Sequence, residues 1–546
     1  MWRLMIVLLF IVLMNDSAHA QNVSQPDAVI RFLGTDDPEE LHAEEVEKLQ
    51  DLLDSPLRLN VVSESVLRES GLFTPYQVAS LSDYVSRHGA VLSYSELSLV
   101  DGFGDDFVRR IAPFIILENV DKSLGGVRHD MAVRTGLRIH ANERSDGSYG
   151  LKYRVEGGHL KASVAASRSA GTSTWAPSSI SGSMSLRFRR LPLRIVAGDF
   201  NARFGQGLVM WNNSFLNSLT NPDTFMKKPT GVTQPWSFTG SGTLRGLAAE
   251  YVVKGLHICA LASYESHHVT PAVNVAWYGR FGQVSMTATS SECGIDAAVC
   301  VRGVNIFGEV AYDWRTEVAA ALAGTRFKVG ERLDAAAQIR ACFGDQYGAA
   351  LGTTYSLGSK GQLTLSSDAT YYPISKDKDD PYSFQLKSQF SGEVQIGSCW
   401  KLKFRLSERI RTWGLPYRTD VRTDVVYSCE PFVCTARINV LSCDGVGFLS
   451  YLEGGYKTER HSVYLRQGLF IVDDWDDRIY VYERDAPGSF NAPAMYGRGV
   501  WTSITSSSRL TRALRLYARA SYIGYPMMEK KKPGKAELKL QLQYRF

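Results

Sequence analysis

Two groups of residues in this 546-residue chain have the types and spacing to do chemistry. The first is Gly102-Phe103-Gly104, lying between two short amphipathic stretches. A Gly-x-Gly turn between helices lets the backbone approach a neighbour closely and aims free N–H groups outward. Gly71 marks a similar turn upstream. The second group is basic: Arg187 and Arg189, then Lys401, Lys403 and Arg405, then Arg515 and Arg519. Each set occupies alternate positions of an alternating apolar and polar stretch and so shares one face of a strand. Along a water-filled interior such cations favour anionic solutes, whereas paired with Asp and Glu they simply fill polar space.

Other chemistry is weakly signalled. Asp473-Asp474-Trp475-Asp476-Asp477 is acidic enough for a divalent cation but lacks calcium-loop spacing, and reads as a solvated outer loop. The eight cysteines have no zinc spacing. Cys429 and Cys434 flank a short turn and could oxidise across a hairpin, or all eight could serve as small apolar side chains. The ten His are scattered, and Gly-x-Ser-x-Gly and phosphate-loop patterns are absent. No metal or cofactor is expected, and the chain reads as a non-enzyme.

The elements that must position these residues are strands. At the C-terminus Leu538, Leu540, Leu542, Tyr544 and Phe546 alternate with Glu537, Lys539, Gln541, Gln543 and Arg545, as in a wall with lipid on one side and water on the other. The same alternation recurs at Met131–Ile139, Leu151–Val155, Met184–Phe188, Leu402–Leu406 and Leu514–Ala520. This stretch resembles an outer-membrane β-barrel, down to the terminal aromatic, Phe546, typical of barrels handled by the outer-membrane assembly machinery. The expected fold is an all-β transmembrane barrel of roughly 22 to 26 antiparallel strands over residues 128–546, with a small all-α N-terminal domain. Glycines in Gly198–Gly207 predict a kink or close packing against something inside the barrel. The polar stretches Asn212–Gly242, Lys376–Asp380 and Asp473–Gly488 are expected as long connections, and Trp211, Tyr371, Tyr372, Trp475 and Tyr525 as interfacial aromatics.

The front of the chain has a different character. Residues 1–20 read as a secretory signal peptide, with Arg3, an apolar run and Ala18-His19-Ala20. Residues 21–122 hold 19 Asp/Glu against 8 Lys/Arg, a net of 8 − 19 = −11, so that 123–546 carries 5 + 11 = +16. Asp36-Asp37-Pro38 is expected to open a helix that ends before Pro56, Ser63 to cap one through Glu69, Thr74-Pro75 one from Tyr76 to about Arg87, and Ser93 with Glu96 a third. Over about 57–115 the segment resembles the double helix-hairpin-helix domain of competence-type DNA receptors, carried by Leu57-Arg58-Leu59-Asn60, the turn at Gly71, Arg87-His88-Gly89 and Gly102-Phe103-Gly104. The resemblance implies that Gly71, Gly102, Phe103 and Gly104 are DNA-phosphate hairpins. The sequence departs from that pattern: Gly71-Leu72-Phe73 lacks its second Gly, Asp105 and Asp106 follow the second hairpin at once, and the net charge opposes a polyanion.

The function expected first is therefore a non-enzymatic outer-membrane barrel, a channel or assembly component, with a periplasmic helix-hairpin-helix docking or plug module. Its partners would be outer-membrane lipid and a periplasmic or outer-membrane protein. The alternative is a DNA-uptake or DNA-binding protein that uses the hairpins.

Overall fold

The computed structural model describes residues 25–33, 43–117, 126–140, 145–188, 190–212, 219–265, 268–279, 282–376, 381–489, 491–528 and 533–546. The expected signal peptide, the helix opening at 36–40, the hairpin tip 377–380 and Arg189 lie outside these residues.

Residues 128–545 form one closed antiparallel barrel. The sheet has 25 members; the three-residue strand Gly231–Thr233 pairs on the inside with Asn201–Arg203, leaving 25 − 1 = 24 wall strands. Each wall strand pairs with its neighbours in the chain, and the last, Lys535–Arg545, closes on the first, Arg128–His140, from Lys535↔His140 to Arg545↔Asp130. The end of the barrel where the wall starts, at Arg128, is here the near rim. Its turns are short, as at 157–159, 254–255 and 302–303, while the longest connections, 204–243 and 473–496, leave from the far rim.

Alternation is what makes these segments wall strands. On the closing strand Leu538, Leu540, Leu542, Tyr544 and Phe546 point outward and are exposed, whereas Gln541 and Gln543 point inward and are buried. Ile339, Leu351, Leu365, Ile438 and Leu452 continue the exposed apolar belt round the barrel, and closure leaves no unpaired edge. Phe546 completes the seam: its N–H donates to the His129 carbonyl at 3.0 Å, its carbonyl accepts from the His129 N–H at 2.8 Å, and the two rings stack 4.6 Å apart. Deleting Phe546 removes both bonds at the pairing that closes the barrel, so the heat-modifiable, assembled fraction should fall about tenfold. Gln543→Ala, on the inward side, should have the smaller effect; equal assembly would contradict the seam.

Among the described residues the front segment forms six α-helices: α1 (Gln25–Leu33), α2 (Ala43–Asp54), α3 (Glu64–Glu69), α4 (Pro75–His88), α5 (Tyr94–Ser98) and α6 (Asp105–Ile111). The Thr74/Gln77 capping box opens α4 and Gly89, at φ 86°, ends it. Ser93 caps α5, but the Glu96 carboxylate turns to the Leu92 N–H instead of closing a box on Ser93. Ser63 precedes α3 without a side-chain cap bond. A two-residue parallel pair, Leu57–Arg58 with Ile115–Ile116, ties the ends of the unit together. Its core gathers Val46, Leu67, Leu72, Phe73, Leu97 and Phe103. Helix α1 was not anticipated: Ala28 and Val29 on its short apolar side are buried in the same core, and Phe32 packs on Phe114 at 5.5 Å.

Three expectations need correction. The acidic run is solvated as expected only from Asp473 to Asp476, which are exposed; the rest of that connection turns inward, since Asp477 is buried, accepting the Cys443 and Gly445 N–H groups at 2.7 and 2.6 Å, and Ile479, Val481 and Met495 join an apolar cluster with Trp501 and Phe470 inside the wall. Trp211 and Tyr525 are not rim aromatics: Trp211 lies under Lys227 of the other inward connection, and Tyr525 packs on Phe470. None of the eight cysteines, all among the described residues, is joined in a disulfide. The register sets Cys429 opposite Phe432 and Cys434 opposite Tyr427, so the two thiols are diagonal rather than facing.

Candidate functional site

A 24-strand barrel encloses a space wider than its own inward side chains can fill. Here the six-helix unit and both far-rim connections reach into it, and the polar contacts fall on inward wall positions. Asp51 of α2 meets Arg545 at 3.4 Å and Arg154 at 3.9 Å, and Ser55 meets Arg128 at 3.1 Å. Glu69 of α3 takes Arg194 at 3.0 Å and Arg187 at 3.9 Å; Arg68 contacts His257 at 3.0 Å and lies over the Tyr278 ring. Glu45 pairs with Arg203 at 3.3 Å. On the opposite side Asp106 meets Ser356 at 3.3 Å, Arg109 donates to the Gly358 carbonyl at 2.7 Å, and Arg31 of α1 pairs with Glu393 at 2.8 Å. The tethers thus run from the last wall strand through the first and on to Ser383–Ile396. The −11 of the front segment and the +16 of the remainder meet here as ion pairs, so each cancels part of the desolvation the other requires.

The far-rim connections meet the same unit from above. Gly198 (φ 95°) bends its strand inward, and Gly205 (φ 59°) brings the backbone onto the Glu309 carboxylate, which accepts the Gln206 N–H at 2.6 Å. The expected kink is therefore present. Lys228 then donates to the Leu72 carbonyl at 3.1 Å and lies over the Phe32 and Phe107 rings, while Asp223 pairs with Arg110 of α6. From the second connection Tyr482 accepts from Gln50 of α2 at 2.9 Å, and the Gly488 N–H donates back to Gln50 at 3.1 Å.

The basic residues marked in the sequence are mostly engaged. Arg187 serves Ser65 and Glu69 at the near rim. Lys401 pairs with Glu393 at 2.9 Å, Arg405 with Asp420 at 2.6 Å, and Lys403 stands opposite Glu393 and Asp424 in register. Arg519 binds Glu483, Asp485 and Glu537, locking the second connection to the wall. Arg515 stands directly opposite Arg509 beside a cavity of about 410 Å³. The sequence reading missed Arg31, Asp51, Glu69 and Glu393, whose only signal was the opposed charge of the two segments.

The four hairpin residues face other tasks. Gly71 (φ 73°) lies against Thr230 and Lys48. The Phe103 and Gly104 N–H groups donate to the Val100 and Ser98 carbonyls, the Phe103 ring is in the core against Phe73 and Phe107, Gly102 abuts the Tyr76 ring, and Gly104 abuts the Lys328 ammonium of the wall.

Seating α2 buries ionisable groups. Burial pushes the Glu47 carboxyl up to about 8 and that of Glu44 up to about 6, from an ordinary 4.5, and pulls Lys48 down to about 8 and Lys228 to about 7, from 10.5. Lys152, Arg134, Glu44 and Asp51 face Glu47 and modulate it less than burial does. A carboxyl with a raised value favours the seated state fully below about 4.5, and that contribution is lost as pH rises through 6 and 8. An ammonium with a lowered value favours the seated state only as pH rises above 7 to 8 toward 10.5. From pH 5 to 7 the carboxyls dominate, so the unit should loosen. Limited proteolysis within residues 25–117 should accelerate over that interval in the full chain, and Glu47→Gln should flatten the response; a flat profile in the unaltered protein would contradict it.

No protein-family model matches the chain, and no curated protein does. Solved structures with a similar barrel include the siderophore receptor PirA from Pseudomonas aeruginosa, 7% identical, covering 78% of this chain and 82% of that one at a TM-score of 0.43. OccK11 (OpdR) of the same organism is 9% identical over 77% and 96%, TM-score 0.30. The FrpB iron transporter from Neisseria meningitidis is 7% identical over 76% and 81%, TM-score 0.38.

Proposed function

We propose that this chain is a non-enzymatic outer-membrane barrel whose N-terminal helical unit acts as a plug, entering the lumen from the periplasmic side at the near rim. The observation that carries the reading is the series of tethers from Asp51, Ser55, Glu69, Asp106 and Arg31 to inward positions on wall strands most of the way round the barrel. The exposed outward belt of Leu, Ile and Tyr supports lipid as the outer partner. Leu92 and Leu99, 73% and 80% exposed on the helical unit, support a periplasmic protein as a docking partner. The hairpin N–H groups of Phe103 and Gly104 are engaged within their own turn, and Gly104 lies against the wall, which ranks plugging above DNA reception for this unit. Channel current tests it: in planar bilayers the full chain should conduct little, and variants that unseat the unit should conduct as wide pores. A full chain as conductive as its unseated variants would overturn the plug.

A further inference from the structure

We infer that the cavity of about 410 Å³ at the near rim, between α2 and the wall strands His461–Val472, Gly497–Arg509 and Leu514–Gly524, binds a small phosphorylated carbohydrate, with the phosphate toward the rim and the sugar toward the lumen. The inference rests on the plug reading for the inner side of the cavity, which Gln50 and Leu53 of α2 supply, and on the wall alone for the groups that hold the ligand.

Register lays the inward side chains of this wall in layers. At the rim the Arg509 N–H donates to the Arg460 carbonyl at 2.8 Å, one step beyond the His461↔Ser508 pair, and Arg509 stands opposite Arg515, so three arginines follow one another across neighbouring strands. All three line the cavity. Arg515 makes other contacts as well; Arg460 and Arg509 are exposed, and among the described residues neither forms an ion pair. Of the acids lining the cavity, Asp485 is taken by Arg519 and Lys539, and Glu459, exposed in the turn beside Arg460, forms no ion pair among the described residues. Like charges opposed on a sheet repel, and a phosphate dianion between them turns that repulsion into charge-assisted bonds. Guanidinium groups suit this because their forked donors match phosphate oxygens.

The next layers inward are neutral. Ser462 stands opposite Ser507 and Ser507 opposite Tyr517; one layer deeper, Tyr464 stands opposite Thr505. These five line the cavity too. Successive layers are two residues apart, about 7 Å, which is the reach from a phosphate to the far hydroxyls of the sugar that carries it. Hydroxyls both donate and accept and so match a sugar's own, and the Tyr rings offer flat apolar faces to its C–H surface. Arg484 covers the Tyr464 ring at 3.9 Å and, with Asp485, Ala486 and Pro487 of the second connection, bounds the cavity from the lumen. The volume is that of a small-molecule site, and these closures make it a pocket rather than a passage.

Equilibrium dialysis of radiolabelled glucose 6-phosphate against the detergent-solubilised full chain, at low salt in a phosphate-free buffer, tests the binding. Saturable binding is expected, weakened about tenfold or more in the double variant Arg460→Gln, Arg509→Gln and unchanged in Arg302→Gln, in a near-rim turn elsewhere on the wall. Ser507→Ala should weaken binding of the sugar phosphate about threefold and leave that of inorganic phosphate as it was. Unlabelled inorganic phosphate should displace the probe only at about tenfold higher concentration, and glucose not at all. Heat-modifiable migration checks that each variant is assembled. If the double variant does not assemble, Arg509→Gln against Arg509→Lys makes the same comparison, with loss expected only where the charge is removed. No binding by the unaltered chain, undiminished binding after removal of these charges, or equal loss in Arg302→Gln would overturn the inference. Displacement by inorganic phosphate at the probe's own concentration would overturn the carbohydrate assignment. Current and dialysis are separate readouts: a full chain that conducts widely yet binds the probe fails the plug reading alone, and one that conducts little and binds nothing fails this inference alone.

Discussion

Replacing Asp51 and Glu69 together by Lys is expected to unseat the helical unit and raise the bilayer conductance of the full chain about tenfold or more. Asp51 stands between Arg545 and Arg154, which also hold Asp130 at 3.0 and 3.3 Å, and Glu69 stands between Arg194 and Arg187. The double substitution converts four attractions into four repulsions. At an effective dielectric near 20, unit charges about 4 Å apart interact by about 4 kcal/mol. Asp51, Arg154 and Arg194 are at most 18% exposed, so solvent screens their contacts only in part, whereas Arg187, at 43%, adds little. The sum after that discount still reaches several kcal/mol, enough to turn a seated population into a largely open one. Asp83→Lys is the control: among the described residues its carboxylate meets only the exposed Arg87 of the same helix, at 2.8 Å, and current should stay low. Unchanged current in the double variant would remove these ion pairs from any role in seating.

Trp501→Ala should release the second inward connection. The indole is fully buried among Leu449, Tyr451 and Phe470 of the wall and Ile479, Val481 and Met495 of the connection. Gly468 on the neighbouring strand leaves room for the ring, and a side chain there would overlap it. Truncating a buried Trp costs about 3–5 kcal/mol, borne here by a segment otherwise held to the wall by polar contacts, among them Asp477 on the Cys443 and Gly445 N–H groups, Arg484 on Glu453, and Glu483 and Asp485 on Arg519 and Lys539. Residues 473–496 should become cleavable by trypsin at Arg478 and Arg484 from the far rim, and current should rise as Tyr482 leaves Gln50. Gly468→Val should do the same by overpacking. Ile504→Ala, an outward position, should leave both readouts alone. A protected connection in Trp501→Ala would mean that its polar contacts hold it without the indole.

The wall was legible because its signal is local. Leu538 to Phe546 declare their two faces without reference to any other strand, and the same two-residue period sorts inward from outward elsewhere. Thr74, Pro75 and Gln77 likewise specify a helix start within four residues, and the glycines at 198, 205 and 207 announced a bend. What the lumen holds was not legible, because it depends on pairings between residues far apart in the chain. Asp51 with Arg545, or Arg31 with Glu393, leaves no trace in either neighbourhood. The opposed charges of the two segments were the trace. Taken singly, they read as repulsion of DNA at one end and attraction of solutes at the other; in the folded chain many of those charges neutralise each other. The connection after Asp473 misled in part for the same reason: Asp473 to Asp476 are exposed, but the run continues into Asp477, Ile479 and Val481, which the wall buries.

The most direct test of the central claim is a photo-crosslinker at Gln50, the α2 residue that contacts Tyr482 and Gly488. The full chain carrying benzoylphenylalanine at that position is irradiated in intact outer membranes, and the crosslinked peptides are identified by mass spectrometry. A plug seated in the lumen predicts a dominant intramolecular crosslink to the peptide spanning Tyr482 to Gly488. Crosslinks confined to other periplasmic proteins, with none to the barrel, would place the helical unit outside the lumen and contradict the account.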